Sequence, residues 1–157
     1  MGVEMTTRVK ETVSTMSAPN PTPLRIVLSA AFSSGSGSTS RSESWLGHAQ
    51  YRIKEAFQQR DDWDHEGAAA VSLAAAESAL ELATQLTELK LLKPFIQATR
   101  SGGIAFEWIG GPFDLLIEVL ESDLEVSIRD RTSGEYWEGK PDTFEDEFLR
   151  ALASVIS

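Results

Sequence analysis

The chain reads as an α+β domain in which helices pack on a three- to four-stranded antiparallel meander, in the order αα-βββ(β)-α. Three observations predict it. The tract 102–128, GGIAFEWIGGPFDLLIEVLESDLEVSI, alternates apolar and acidic side chains and is punctuated by turn residues, the period of strands with one buried face. Ahead of it, apolar residues recur at helical spacing over 43–59 and 70–92. Behind it, a last helical pattern covers 143–155. Helices and strands that segregate along the chain in this way belong to α+β architectures.

The domain of 43–157 follows a different kind of sequence. Residues 1–42 read as a flexible N-terminal segment: Thr, Ser and Met lead into Pro19, Pro21 and Pro23, and 33–40 (SSGSGSTS) is a Gly/Ser linker. Between them, 24–31 (LRIVLSAA) is apolar enough to add an edge strand to the sheet or to form a first helical turn. The Gly/Ser run carries no GxxxxGK[ST] and is no phosphate loop.

In the first helix Leu46, Ala49, Ile53, Ala56 and Phe57 share a face, with Ser42 or Ser44 as cap. A polar loop, RDDWDHEG at 60–67, separates it from the second. There, Leu73, Ala76, Leu80, Ala83, Thr87 and Leu91 form a stripe, widened by Leu82, Leu86 and Leu89, and Pro94 kinks or ends it with Phe95 and Ile96 folding back as an apolar latch. In the strands, Ile104, Phe106 and Trp108 face inward, as do Phe113, Leu115, Ile117 and Val119, and then Leu124, Val126 and Ile128. Gly110-Gly111-Pro112 and Glu121-Ser122-Asp123 make the turns, and Ser133-Gly134 introduces a short fourth strand at 135–138. Asp142 or Thr143 caps the closing helix, whose buried face is Phe144, Phe148, Leu152 and Val155. Leu116 and Leu120 are apolar on the side that should be wet, which marks a covered face or a contact surface.

Composition narrows the function classes. At 157 residues and 41% hydrophobic content the chain supports one core. Absence of cysteine excludes disulfides, thiolate nucleophiles and zinc–sulfur sites, and together with the lack of an apolar signal or membrane segment predicts a cytoplasmic protein. The net charge of -10 is uneven: residues 1–42 hold four basic and two acidic residues, so the body carries -12. Such a body repels phosphate backbones, which argues against nucleic acid, and it serves solubility or favours a basic protein partner.

Chemistry motifs are missing. Asp61, Asp62, Asp64, His65 and Glu66 form the densest polar cluster, but their spacing matches neither an EF-hand loop nor H-E-x-x-H, and acidic groups before a helix serve its N-terminus. Glu107 and Glu118 lie on outward positions of neighbouring strands and can approach, with Arg129 or Arg131 to offset them; a solvated acidic face is the simpler reading. His48 sits in the first helix without a nucleophile partner, and no G-x-S-x-G or dinucleotide fingerprint occurs. No catalytic residue, metal ligand or cofactor site is therefore assigned. Aromatic residues among acids are the remaining signal: Trp63, beside Asp64, folds over the helix–sheet junction or serves as a protein-interface anchor, Tyr136 and Trp137 pose the same choice, and Leu116 and Leu120 add an apolar patch.

Trp63-Asp64-x-x-Gly67-Ala68, the Ala/Leu helix, Pro94, Gly102-Gly103-Ile104-Ala105-Phe106-Glu107-Trp108 and Leu115-Leu116-Ile117-Glu118-Val119 in this order resemble a widespread group of small uncharacterised bacterial proteins. The resemblance covers about residues 60–130 and implies a bacterial or phage cytoplasmic setting. The group has no established activity, so no residue role carries over. It often has glycine two residues after the tryptophan, where this chain has His65. The expectation is a non-enzymatic binding or accessory protein, antitoxin-like or immunity-like, that meets a basic partner through its acidic surface. A homo-oligomeric structural domain and a carboxylate- or metal-dependent enzyme are the alternatives.

Overall fold

Helix α1, Leu46–Phe57, opens the part of the chain that the computed structural model describes, residues 44–156. The basic segment and the expected strand at 24–31 lie outside the described residues. The Ser44 hydroxyl accepts the Leu46 N–H at 3.3 Å, and Ala49, Ile53 and Ala56 turn one narrow face inward. Helix α2, Leu73–Glu88, starts where the Ser72 hydroxyl accepts the Ala75 N–H at 3.1 Å.

The buried face of α2 is Ala75, Ala76, Ala79, Leu82, Ala83 and Leu86. This corrects the expected stripe: Leu73 and Leu80 point to solvent, 60% and 37% exposed. Alanines line the contact instead because α1 packs against α2 with its own alanines, and two small-residue faces let the backbones approach. Nor does Pro94 end this helix. The Lys90 N–H bonds to the Thr87 carbonyl and the Leu91 N–H to the Leu86 carbonyl, while Lys90 turns left-handed at φ 56°. That Schellman closure stops α2 at Glu88, ahead of the proline.

Five strands follow as an antiparallel meander in spatial order β1-β2-β3-β4-β5: Phe95–Ala98, Ile104–Trp108, Phe113–Val119, Leu124–Asp130 and Tyr136–Gly139. The count exceeds the expected three to four because the Phe95-Ile96 "latch" is itself a strand, with Ile96 and Ala98 inward and Phe95 and Gln97 outward. The last strand lies one residue beyond its expected place. A Pro141–Phe144 3₁₀ turn then leads into α3, Glu145–Ser154. Neither Asp142 nor Thr143 caps α3; the Thr143 hydroxyl donates to the Lys140 carbonyl at 2.6 Å, and Glu145, Asp146 and Glu147 face the positive helix end.

Register sorts the strand residues into inner and outer rows. Ile96, Phe106, Ile117 and Val126 make one inner row; Ala98, Ile104, Val119 and Leu124 another; Trp108, Leu115, Ile128 and Trp137 the third. The helices lie on this side, α1 against β1, α2 against β2 and β3, and α3 against β3 and β4. They close one core with Phe148, Leu152 and Val155. The result is a two-layer α+β sandwich whose second sheet face carries no helix among the described residues.

Candidate functional site: the open face of the sheet

The outer rows follow from the same register. Phe95, Glu107, Leu116, Ser127 and Glu138 run across all five strands; Gln97, Ala105, Glu118 and Glu125 lie on one side of them, Asp114, Arg129 and Tyr136 on the other. Phe95 is 56% exposed and Tyr136 58%, and Ile109, just past β2, reaches 66%. Leu116 sits half-buried at the centre. A shallow depression of about 210 Å³ lies between Glu107, Ile109, Asp114, Leu116, Arg129 and Tyr136. Within these rows five carboxylates face one arginine.

Local bonds hold the acids in place. The Tyr136 hydroxyl donates to Glu138 Oε2 at 2.7 Å, Arg131 pairs with Asp114 at 2.8 Å, and the Ser101 hydroxyl donates to a Glu118 carboxylate oxygen. Glu107 stands opposite Leu116, and Glu118 opposite Ala105 and Glu125, so the two carboxylates are diagonal neighbours and not a facing pair. Neither expected arginine serves them: Arg131 is on Asp114, and Arg129 lies between Asp114 and Tyr136. A facing Glu118 and Glu125 repel each other and attract cations.

The six residues expected as an interface do not assemble into one. Leu116 and Tyr136 share the depression. Trp137 occupies the inner row, half-buried against the core. Leu120 lies past the end of β3, folded over Gly103. Trp63 and Asp64 belong to the loop between α1 and α2. There Trp63 packs half-buried on the core beside a groove of about 430 Å³, lined also by Arg52, Glu55, Gln58 and Gln97, and its buried indole N–H has no acceptor among the described residues. Phe95 and Ile109 belong to the exposed apolar set without being among the six, and no local pattern marks either as outward-facing.

The three aspartates of this loop accept backbone N–H groups. Asp61 accepts the Ala70 N–H at 2.8 Å, Asp62 the Gly67 N–H at 2.8 Å, and Asp64 Oδ1 those of Glu66 and Ala68 at 2.9 and 3.0 Å. Arg100, from the turn after β1, grips Asp64 at 2.9 Å and the Glu66 carbonyl at 2.7 Å. These aspartates thus build the turn that seats α2 beside the sheet. Among the described residues no three His, Asp or Glu side chains converge as a metal cage.

Two expected results follow from the loop. His65 is left-handed at φ 60°, a conformation that disfavours a Cβ, which accounts physically for glycine suiting this position. His65→Gly is expected to raise stability by about 0.5–1 kcal/mol, measured by urea denaturation; an unchanged or lower midpoint refutes it. For Asp64, partial desolvation opposes ionisation, but the Glu66 and Ala68 N–H groups and the Arg100 guanidinium outweigh it and hold the carboxyl below its ordinary value. Asp130, held by the Ser133 and Thr132 N–H groups, and Asp123, held by Lys140, shift the same way. A lowered folded pKa contributes stability above the ordinary aspartate value and loses it as pH falls through the folded one. The thermal midpoint should therefore hold from neutrality to about pH 4 and drop below it, and Asp64→Asn should reduce that drop.

No helix among the described residues is long and apolar enough to cross a membrane. No protein family, curated protein or solved structure matches the chain.

Proposed function

We propose that this protein is a non-enzymatic binding or accessory protein, antitoxin-like or immunity-like in its mode of action, which engages a basic partner protein through the open face of its sheet. One observation carries the reading: a sheet face that no helix among the described residues covers, on which exposed Phe95, Tyr136 and half-buried Leu116 are framed by Glu107, Asp114, Glu118, Glu125 and Glu138. Aromatic and aliphatic anchors supply desolvation energy at an interface, and surrounding charge selects the partner and speeds encounter. The net charge of -10 works against a second copy of the same chain on this face.

The test is crosslinked copurification at native expression level, repeated with Leu116→Lys and with the Glu125→Lys/Glu138→Lys pair. A stoichiometric basic protein should accompany the unmodified chain and be lost from both variants, with association slowed as salt rises. A partner retained by both variants, or a homodimer closed over the sheet, overturns the reading.

A further inference from the structure

The two edges of the sheet are treated differently. At β1, α1 packs along the strand and the Arg52 guanidinium donates to the outward Ile96 carbonyl at 3.2 and 3.3 Å. That edge is closed to further pairing. At β5, no strand among the described residues pairs beyond Tyr136–Gly139. The Asp130 N–H donates to the Glu135 carbonyl at 2.9 Å, which marks that pair as hydrogen-bonded. Antiparallel pairs alternate, so Ile128 with Trp137 and Val126 with Gly139 are bonded pairs too. The N–H and C=O groups of Tyr136 and Glu138 consequently point away from the sheet, in the geometry of an acceptor strand.

Charge selects what such an edge can receive. The side chains of Tyr136 and Glu138 lie on the acidic outer face, Glu138 next to the row of Glu125 and Glu118 and Tyr136 in the row of Arg129 and Asp114, whereas Trp137 lies on the inner side. A second copy of β5 would set Glu138 near its counterpart and is repelled. A basic strand is attracted, and its alternate residues would rest beside the half-buried Trp137.

We infer that the partner engages by strand addition: an extended segment with alternating basic and apolar residues pairs with the backbone of Tyr136 and Glu138, basic side chains on the acidic face and apolar ones beside Trp137. This rests on the proposed binding role and adds the mode and chemistry of the contact.

The experiment uses the full chain labelled with ¹⁵N and an acetylated Lys-Val-Lys-Val-Lys-Val peptide as probe, with Glu-Val-Glu-Val-Glu-Val as control. The basic peptide should slow amide exchange at Tyr136 and Glu138, weaken with salt, and lose binding when N-methylated at alternate residues. Glu138→Pro removes the edge donor, and Glu138→Gln only the charge; the proline variant should bind about tenfold more weakly than the glutamine one. Should the proline variant fail to fold, the N-methylated peptide reads the same contact. Equal binding of the acidic peptide or of the N-methylated one overturns the inference. So do unprotected Tyr136 and Glu138 amides, and if Phe95 and Leu116 respond in that case, the binding face stands while strand addition falls. A probe that moves no amide also overturns strand addition, and the copurification with charge-reversed variants then judges the binding role separately.

Discussion

Gly103→Ala is expected to destabilise the protein by about 3 kcal/mol. A Cβ at this position would lie 2.5 Å from the Val119 carbonyl oxygen, 2.9 Å from Leu120 Cδ2 and 3.1 Å from Thr99 Oγ1. The first of these is backbone within the central strand, hydrogen-bonded in its ladder and unable to retreat without moving β3. The turn has no slack either: the Gly103 N–H donates to Thr99 Oγ1 at 3.0 Å, and the Thr99 N–H to the Gly103 carbonyl at 3.0 Å. Chemical denaturation of Gly103→Ala, Leu120→Ala and the double variant separates the contributions. Leu120→Ala should recover only the part owed to the leucine methyl, leaving the clash with the Val119 carbonyl. Full recovery in the double variant, or a single variant within 0.5 kcal/mol of the parent (about the spread of neutral substitutions), would refute the argument.

Phe148→Ala is the second large effect, with an expected loss of about 3–5 kcal/mol. Phe148 is fully buried and lies on the face of α3 that meets β3 and β4. It is the largest side chain that α3 contributes to the shared core, between Phe144 on one side and Ala151 and Leu152 on the other. Truncation leaves a cavity that strands on one side and a helix on the other cannot both close. Small domains have about 5–15 kcal/mol in total, so the urea midpoint should fall sharply, and α3 should show the largest rise in amide exchange. A loss below about 1 kcal/mol, the scale of surface substitutions and not of core ones, would mean that α3 is not seated as described.

Both effects arise where contacts between distant segments decide the outcome, and the same division runs through what was legible in the sequence. Alternation in Ile104–Trp108 and Phe113–Val119 identified strands and their inward residues, because side-chain period in a strand is a local property of the backbone. Phe144, Phe148, Leu152 and Val155 were likewise legible as one helical face. β1 was not: four residues directly after a proline hold too short an alternation to separate a strand from a folded-back coil. Helix α2 was found, but its rotation was not. Leucine is the more apolar residue, yet close packing with α1 turned the alanines inward and left Leu73 and Leu80 in solvent.

The candidate site divides along the same line. Aromatic residues among acids and the misplaced Leu116 were visible as a pattern, but the pattern contained no distances. Trp63 packs on the core, as its junction reading had it and not its anchor reading, Asp64 became part of a backbone-bonded turn, Trp137 went inward, and Leu120 closed over Gly103. By itself the sequence determined the α+β class, the meander, the acidic charge and most of the apolar core, since these depend on composition and on local period. Only the tertiary structure decided that the three helices among the described residues share one face of the sheet, leaving Phe95, Leu116 and Tyr136 on the other, with no further described strand beyond β5. Strand register and helix rotation are set by long-range packing, and no local pattern of residues encodes them.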